Sequence, residues 1–513
     1  MQTVGDVVRL NAKRYPEKPA IIMDDKSLTY GQLNRQVNRL AHGLLSMGVE
    51  SGDRVAILAL NCLEYPVIVY AIVKCGAVVV PINFRYKKDE LIHVVNNSAP
   101  KVLFYGAEFS SLVGEARRSF ASPVKLVSIS KEPLKSETTL TSLMDGQSTD
   151  EPGVAVDPAS ASFIMYTSGT TGFPKGTLFS HAAYIQNYIG MALEGDLQSD
   201  DVALICIPLF HNGGLNATMG PTLMMGGTAV IMSKGFDPEK VLDAVARYRV
   251  TMTMWVPTQL TMLINYPGIA SYDLSSLNKI YYGSSAISPT TLDASMKIFK
   301  VSFYQWYGQV ETGMVSVLRP EDHESLSQCT GREMVTADLR IVDEDGNDVP
   351  LGGVGEIISR QKPLGMIGYF RMDEANRAAL RDGWIFTGDI ARNDGDGYFT
   401  IVDRLRDMII SGAENIYPKE IEDVICSHPG VLEAAVFGIP DEVYGESVCA
   451  VVVPKRGHKL DQQEIIDFCA SILSSYKKPK RVEFIDDLPK NANGKVTKNV
   501  LREPYWAGRA RRV

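Results

Sequence analysis

Apolar runs of strand length alternate with helix-patterned segments along much of the chain: Arg54 to Leu60, Tyr65 to Lys74, Ala77 to Ile82, then Lys101 to Tyr105 and Lys125 to Ile129. This order predicts parallel sheets whose strands are joined by crossover helices. The same unit recurs where Asp237 stands as an N-cap before Pro238, with Val241, Leu242 and Val245 on one helical face and the strand Thr251 to Val256 behind it. It recurs again from Ser288-Pro289 to the run Val301 to Tyr307. The 513 residues have room for about three cores. Two α/β lobes are therefore expected, residues 1–150 and 151–330, meeting in the Ser-, Asp-, Pro- and Gly-rich loop from Asp145 to Ser160. From Thr336 the pattern changes to short strands between Asp-Gly and Gly-Gly turns (Asp345-Gly346, Gly352-Gly353, Asp394-Gly395, Asp396-Gly397), a β-rich subdomain over 331–402. A charged segment, Asp403-Arg404-Leu405-Arg406-Asp407, then precedes a helix–strand–strand–helix–strand pattern from Lys419 to Ile485. The expected fold is α/β: a large N-terminal domain (1–402) hinged to a small C-terminal α+β domain (403–513).

Composition removes several function classes. Lys+Arg 52 against Asp+Glu 60 gives a net charge of -8, which opposes a general grip on nucleic acid or anionic lipid. The 7 cysteines are widely spaced and form no C-x-x-C pair, so neither a disulfide framework nor a zinc site is expected, and a reducing cytoplasm fits. Met1 to Arg14 lacks the apolar core and cleavage site of a secretory signal. The longest apolar stretch, Val67 to Ile82, is interrupted by Lys74 and falls short of the roughly 20 residues that span a bilayer. No membrane span is expected; peripheral membrane association and a homodimer stay open.

The segment Tyr166-Thr167-Ser168-Gly169-Thr170-Thr171-Gly172-Phe173-Pro174-Lys175-Gly176 follows the apolar run Ser162 to Met165. Small residues let backbone N–H groups converge, hydroxyls add donors, and Lys175 supplies a point charge, the makings of a polyphosphate cradle. It is not a Walker A loop, because no Gly precedes Lys175 and Gly176 stands where Ser or Thr is needed.

With this loop the chain resembles the adenylate-forming acyl-CoA synthetases, a family that includes fatty-acid and aromatic-acid CoA ligases, peptide-synthetase adenylation domains and firefly luciferase. Further signatures follow in the family's order: Tyr307-Gly308-Gln309-Val310-Glu311, Thr387-Gly388-Asp389, Asp403-Arg404-Leu405-Arg406-Asp407 and Pro489-Lys490-Asn491-Ala492-Asn493-Gly494-Lys495. The resemblance runs from Leu28-Thr29-Tyr30 to Lys495. It implies two half-reactions, in which a small-molecule carboxylate attacks ATP to give an acyl-adenylate and coenzyme A then displaces AMP. No protein nucleophile is needed, so cations and positioning carry the catalysis. By resemblance Lys495 reaches the carboxylate and α-phosphate, Lys175 and the loop Thr167, Ser168, Gly169, Thr170, Thr171 and Gly172 hold the phosphates, and Glu311 with Thr170 holds Mg²⁺. Tyr307 and Gly308 meet the adenine, as does the turn at Ser284 and Ser285 that follows the strand Lys279 to Tyr282. Asp389 and Arg404 contact the ribose. Arg406 is the implied pivot that exchanges Lys495 for the loop Ser411-Gly412-Ala413-Glu414, where Gly412 lets pantetheine pass. His211, in Pro208-Leu209-Phe210-His211-Asn212-Gly213-Gly214, stands where relatives gate the acyl pocket. Lys477, Lys478, Lys480 and Arg481 form a basic cluster within reach of a CoA phosphate by the same resemblance.

One departure matters: Val310 occupies the position where the family usually has a Thr hydroxyl for the α-phosphate, and Thr312 is the one nearby substitute. Around the acyl site, Gly214, Leu215, Ala217, Met219, Gly220, Met224, Met225, Met252 and Met254 are small or apolar, and no Lys or Arg lies between Ile205 and Met232. A second carboxylate would be left unpaired there. That disfavours short diacids and favours medium- or long-chain fatty acids. Aryl acids such as cinnamates or benzoates, and a carrier protein in place of CoA, are the alternatives.

Overall fold

Strands that read as unbroken apolar runs need cover on both faces, and two sheets in this chain receive it. The computed structural model describes residues 1–130, 138–167, 174–233, 235–285, 287–327, 329–411, 414–490 and 496–507. It divides into one unit of Met1–Ser284, Asp293–Leu339 and Ser359–Phe386 and a second of Ser285–Leu292, Arg340–Ile358 and Thr387–Val513.

In the first unit, Val78–Pro81, Arg54–Leu58, Val102–Tyr105 and Lys125–Ser128 run parallel, and Ile57 pairs with both Pro81 and Phe104. Ala161–Thr167, Lys175–Ser180 and Gly368–Tyr369 extend this eight-stranded sheet past Val78–Pro81. One face packs Ala56, Leu58, Val80 and Leu103 under Leu91, Val94 and Val95 of the helix Lys88–Ser98. The other face shares a core with the helices Tyr30–Ser46, Glu64–Lys74 and His181–Glu194 and with Ala203, Ile205, Met252 and Met254 of the second sheet.

That second sheet has, within this unit, the order Gly331–Glu333, Gly313–Leu318, Ser302–Gln309, Lys279–Gly283, Met252–Trp255, Val202–Ile205, Thr228–Ile231, Pro19–Met23, Lys26–Thr29. The helix Pro238–Tyr248 begins as its sequence requires. The Asp237 side chain accepts from the Lys240 N–H at 3.1 Å, and Val241, Leu242, Ala244 and Val245 are buried. The two sheets interleave along the chain and do not meet at a single boundary near residue 150. Ile21 pairs with Ala229 in one, and Val79 pairs with Phe163 in the other. The reason is burial: the N-terminal hairpin finds its parallel partner at the far edge of a sheet built mostly from later residues.

The second unit holds the hairpin in which residues 389–395 pair with Tyr398–Arg404, turned by Asp396 and Gly397 at positive φ. It also holds a five-stranded sheet in which Val431–Asp441 and Gly445–Pro454 form the long central pair. The helices Pro418–Ser427 and Gln462–Ile472 cover one face through Ile421, Ile425, Ile465 and Cys469. The helix–strand–strand–helix–strand order expected from Lys419 to Ile485 is the observed one. All seven cysteines are free, and among the described residues no helix is long and apolar enough to cross a membrane.

Candidate functional site

Strand pairing fixes both ends of the Gly-, Ser- and Thr-rich loop. Ala161–Thr167 and Lys175–Ser180 are antiparallel, with Thr167 opposite Lys175 and Tyr166 opposite Gly176. Ser168, Gly169, Thr170, Thr171 and Gly172, which join them, lie outside the described residues, as do Gly412 and Lys495. The segment 366–370 lies along the outer side of Lys175–Ser180. Ile367 N–H donates to Leu178 O and Phe370 N–H to Gly176 O, each at 2.7 Å. The same segment reaches Glu311: Met366 N–H donates to the Glu311 carbonyl at 2.8 Å, and the Tyr369 hydroxyl donates to Glu311 Oε1 at 2.9 Å. Lys175 Nζ sits 5.4 Å from the centre of the Tyr369 ring. One tyrosine thus touches the loop lysine with its face and the glutamate with its hydroxyl.

Glu311 is carried by the turn between Ser302–Gln309 and Gly313–Leu318, where Tyr307 pairs with Ser316 and Gly308 with Met314. Gly308 is required there, since a Cβ would fall 2.1 Å from the Gly313 carbonyl oxygen. Val310 is half-buried against the main core. Thr312 does not replace the missing hydroxyl: it is buried, accepts from Gln309 N–H at 3.0 Å and donates to Gly313 O at 2.8 Å, so both its capacities serve the turn. Ser284 ends the strand Lys279–Gly283 at φ +67, a conformation that non-glycine residues rarely hold without a local reason. Ser284 and Ser285 are both exposed.

His211 caps a short helical turn, its Nδ1 accepting from Gly213 N–H at 3.0 Å, which places the ring proton on Nε2. Burial pushes its pKa down to about 4, so at neutral pH the imidazole is an uncharged donor. A π-helical turn, Leu215–Met219, follows, a form often found at functional sites. It brings Asn216 to the Tyr188 hydroxyl (2.6 Å) and to Asn212 Oδ1 (3.0 Å), which also accepts from the Tyr184 hydroxyl at 3.1 Å. Met219, Met252 and Met254 are buried in the adjoining core.

In the second unit Asp389 is buried and lies opposite Arg404 in the hairpin register, with Arg404 Nε 3.0 Å from Asp389 Oδ1. Gly388, at φ +67, donates to Glu356 at 2.7 Å, and the Thr387 hydroxyl donates to Ile357 O at 2.6 Å. Thr387, Gly388, Arg404, Leu405 and Arg406 line a cleft of about 360 Å³. The charged segment is only partly solvated. Leu405 and Arg406 are exposed, whereas Asp403 is buried and accepts from the backbone N–H groups of Arg404 and Lys419 at 2.7 and 2.9 Å. The basic cluster is not a bare cationic patch. Lys477 pairs with Glu420 at 2.7 Å, Lys480 with Asp441 at 3.0 Å, and Arg481 with Glu483.

Tyr369 and Asn376 escaped the sequence reading. The available signal was Gly368-Tyr369-Phe370 at strand length just before a helix, but nothing local ties it to a lysine nearly two hundred residues earlier. Asn376, on the helix Asp373–Ala379, accepts from Tyr369 N–H and donates Nδ2–H to Tyr369 O at 2.9 Å.

Comparison with known proteins identifies the family. The family model described as AMP-binding enzyme matches residues 8–370, and the AMP-binding enzyme C-terminal domain matches residues 420–495. A feruloyl-CoA synthase of an Amycolatopsis species is 38% identical over 98% of this chain and 99% of its own. A fatty acid–[acyl-carrier-protein] ligase, ScoC of Streptomyces coeruleorubidus, is 36% identical over 100% of this chain and 98% of its own. The crystal structure of the anthranilate CoA ligase AuaEII with anthranoyl-AMP superposes with a TM-score of 0.92 at 26% identity, covering 98% of this chain and 97% of that one. The chain therefore belongs to the AMP-binding enzyme family of adenylate-forming acid–CoA ligases.

Proposed function

We propose that this enzyme joins an apolar monocarboxylic acid to coenzyme A in two steps. The carboxylate attacks the α-phosphorus of ATP, forming the acyl-adenylate as the bond to pyrophosphate breaks. The CoA thiol, losing its proton, then attacks the acyl carbon and AMP leaves. Both first-step reactants are anions, so the barrier falls when fixed cations meet the charge that develops at phosphorus and when the reactants are held in line. Lys175 meets that charge beside the loop 167–172, and Lys495 does so from the C-terminal domain (403–513), which pivots at Arg404 and Arg406 and brings Gly412 in for thioester formation. Tyr307, Gly308, Ser284 and Ser285 receive the adenine, Asp389 and Arg404 the ribose, and His211 stands between acyl group and thiol.

The residues present fit Mg²⁺. A hard cation that takes one carboxylate plus substrate phosphates and waters needs no protein cage, and among the described residues no group of three potential ligands forms one. Glu311 Oε1 is held by Tyr369, while Oε2 has no hydrogen-bond partner among the described residues. Glu311 would hold the ion with Thr170, and bound Mg²⁺ would neutralise phosphate charge. Seven free cysteines suit a cytoplasmic setting.

The observation that carries this proposal is the placement of Lys175 and Glu311, opposite charges on two sides of one tyrosine, at the end of the phosphate-type loop. A fatty acyl chain is the substrate the apolar, cation-free stretch 205–232 favours, with flexible Met219, Met252 and Met254 able to accommodate it. A second substrate class, aryl acids, is favoured by the Asn212, Asn216, Tyr184 and Tyr188 network, which could take a ring substituent, and by the relatives active on ferulate and anthranilate. The test is AMP and pyrophosphate release across C4 to C18 fatty acids, cinnamates, benzoates and malonate, with and without CoA. Turnover requiring an apolar monocarboxylate and CoA is expected. Pyrophosphate release indifferent to CoA would point to a carrier protein, and turnover of malonate would overturn the substrate argument.

A further inference from the structure

Lys175 and Glu311 belong to segments far apart in the sequence, and both approach the same side chain. An ammonium and a carboxylate left free to meet would pair, each cancelling the charge that its substrate group needs. Neither has an ion-pair partner among the described residues. Tyr369 touches both, Lys175 with its ring and Glu311 with its hydroxyl. An ammonium on the ring face is held weakly, by an attraction that a phosphate oxygen outcompetes. A carboxylate with one oxygen fixed by a phenol O–H keeps its other oxygen oriented.

The tyrosine is itself held in place. Backbone pairing fixes Tyr369 opposite Thr177, two residues after Lys175. Met366 N–H anchors the same strap to the Glu311 carbonyl. The Asn376 amide then brackets the Tyr369 peptide groups by accepting from its N–H and donating to its carbonyl. The strap 366–370 is thus registered against both charged residues before any substrate arrives.

We propose that Tyr369 is a positioning residue, which keeps Lys175 and Glu311 apart and presets Glu311 for the divalent cation accompanying ATP. This rests on the ATP-dependent reaction proposed above. It separates two contributions: the hydroxyl serves the cation through Glu311, and the ring serves ATP through Lys175.

The test compares the full-length enzyme with Tyr369→Phe, Tyr369→Leu and Asn376→Ala in two assays. One is carboxylate-dependent ATP–pyrophosphate exchange as a function of Mg²⁺. The other is Mn²⁺ binding, followed by electron paramagnetic resonance with a non-hydrolysable ATP analogue, which needs no turnover. Losing a hydrogen bond to a charged group should raise the half-saturating Mg²⁺ about tenfold in Tyr369→Phe and weaken Mn²⁺ about equally. The KM for the acid should be unchanged, as should analogue binding without metal. Tyr369→Leu should show the same metal defect and also raise the KM for ATP at saturating Mg²⁺, a defect from which Tyr369→Phe is spared. Asn376→Ala, which leaves the ring and hydroxyl intact, should shift the metal dependence in the same direction by a smaller factor. Wild-type metal dependence in Tyr369→Phe, or equal losses with and without metal, would overturn the proposal. If Tyr369→Phe fails to fold, Asn376→Ala decides alone, and an unchanged Mn²⁺ affinity there overturns it. A wild-type enzyme that binds Mn²⁺ and the analogue in a Tyr369-dependent way, yet catalyses no exchange with any acid, would leave this inference standing and refute the proposed reaction.

Discussion

At position 310 a methyl group stands where the family's hydroxyl would meet the α-phosphate, and the neighbouring threonine cannot compensate. Thr312 spends its acceptor on Gln309 N–H and its donor on Gly313 O. On the proposed reading, adenylation proceeds without that contact. Val310→Thr restores it with little change in shape at a half-buried position, although the added hydroxyl loses some packing against the core. A hydrogen bond to a charged group contributes about 1.5–3 kcal/mol. ATP–pyrophosphate exchange by Val310→Thr should accordingly equal the wild-type rate or exceed it, by up to about a hundredfold if the whole of that contact is recovered. A tenfold fall would mean that the surroundings of Val310 have adapted to valine.

The hairpin Ser302–Gln309 and Gly313–Leu318 shows how an element carries a charge into place. Its tight closure at Gly308, where a Cβ would approach the Gly313 oxygen to 2.1 Å, sets the position of the turn holding Glu311. Gly308→Ala must open that turn, and exchange activity should drop by about a hundredfold or more, since displacement by an ångström is costly in a preorganised site. Thermal melting should move far less, and a large fall in melting temperature with activity preserved would contradict this. How much could be read ahead of the structure follows the range of the interactions involved. The helix Pro238–Tyr248 announces itself through Asp237, Pro238 and a buried stripe within eight residues, and the small α+β domain is legible because its elements follow one another in space. The pairing of Pro19–Met23 with Thr228–Ile231 is not, because both strands satisfy any parallel neighbour and only the shared core selects this one. Lys175, Glu311 and Asp389 stand out because each sits in a compact motif. Tyr369 does not, because its role exists only through partners from two other segments, and the hydrogen bonds that absorb Thr312 are likewise invisible in the letters.

At the scale of the whole molecule, the interleaved sheets of the first unit make its stability depend on groups buried where the segments cross. His181 is one. It begins the helix His181–Glu194 and is completely buried, its Nδ1 accepting from Val4 N–H at 3.3 Å while Nε2 has no hydrogen-bond partner among the described residues. Burial lowers its pKa to about 4, against the weaker opposing pull of Asp6 and Asp157. In the unfolded chain the imidazole titrates near 6.5, the ordinary value for histidine. Between those two values the unfolded state binds the proton and the folded state does not, so stability falls as pH falls through this window. The contribution is fully present above about pH 6.5. By pH 5 the difference amounts to about 2 kcal/mol for this one histidine, at 1.36 kcal/mol per unit of pH. Urea unfolding at pH 7, 6 and 5 should show that decline, and His181→Gln, which cannot take up a proton, should flatten it by about that amount even though the variant is less stable at pH 7. An identical pH slope in the variant would mean that His181 charges without penalty in the folded protein, and that the contact between Val4 and the helix is looser than its geometry indicates.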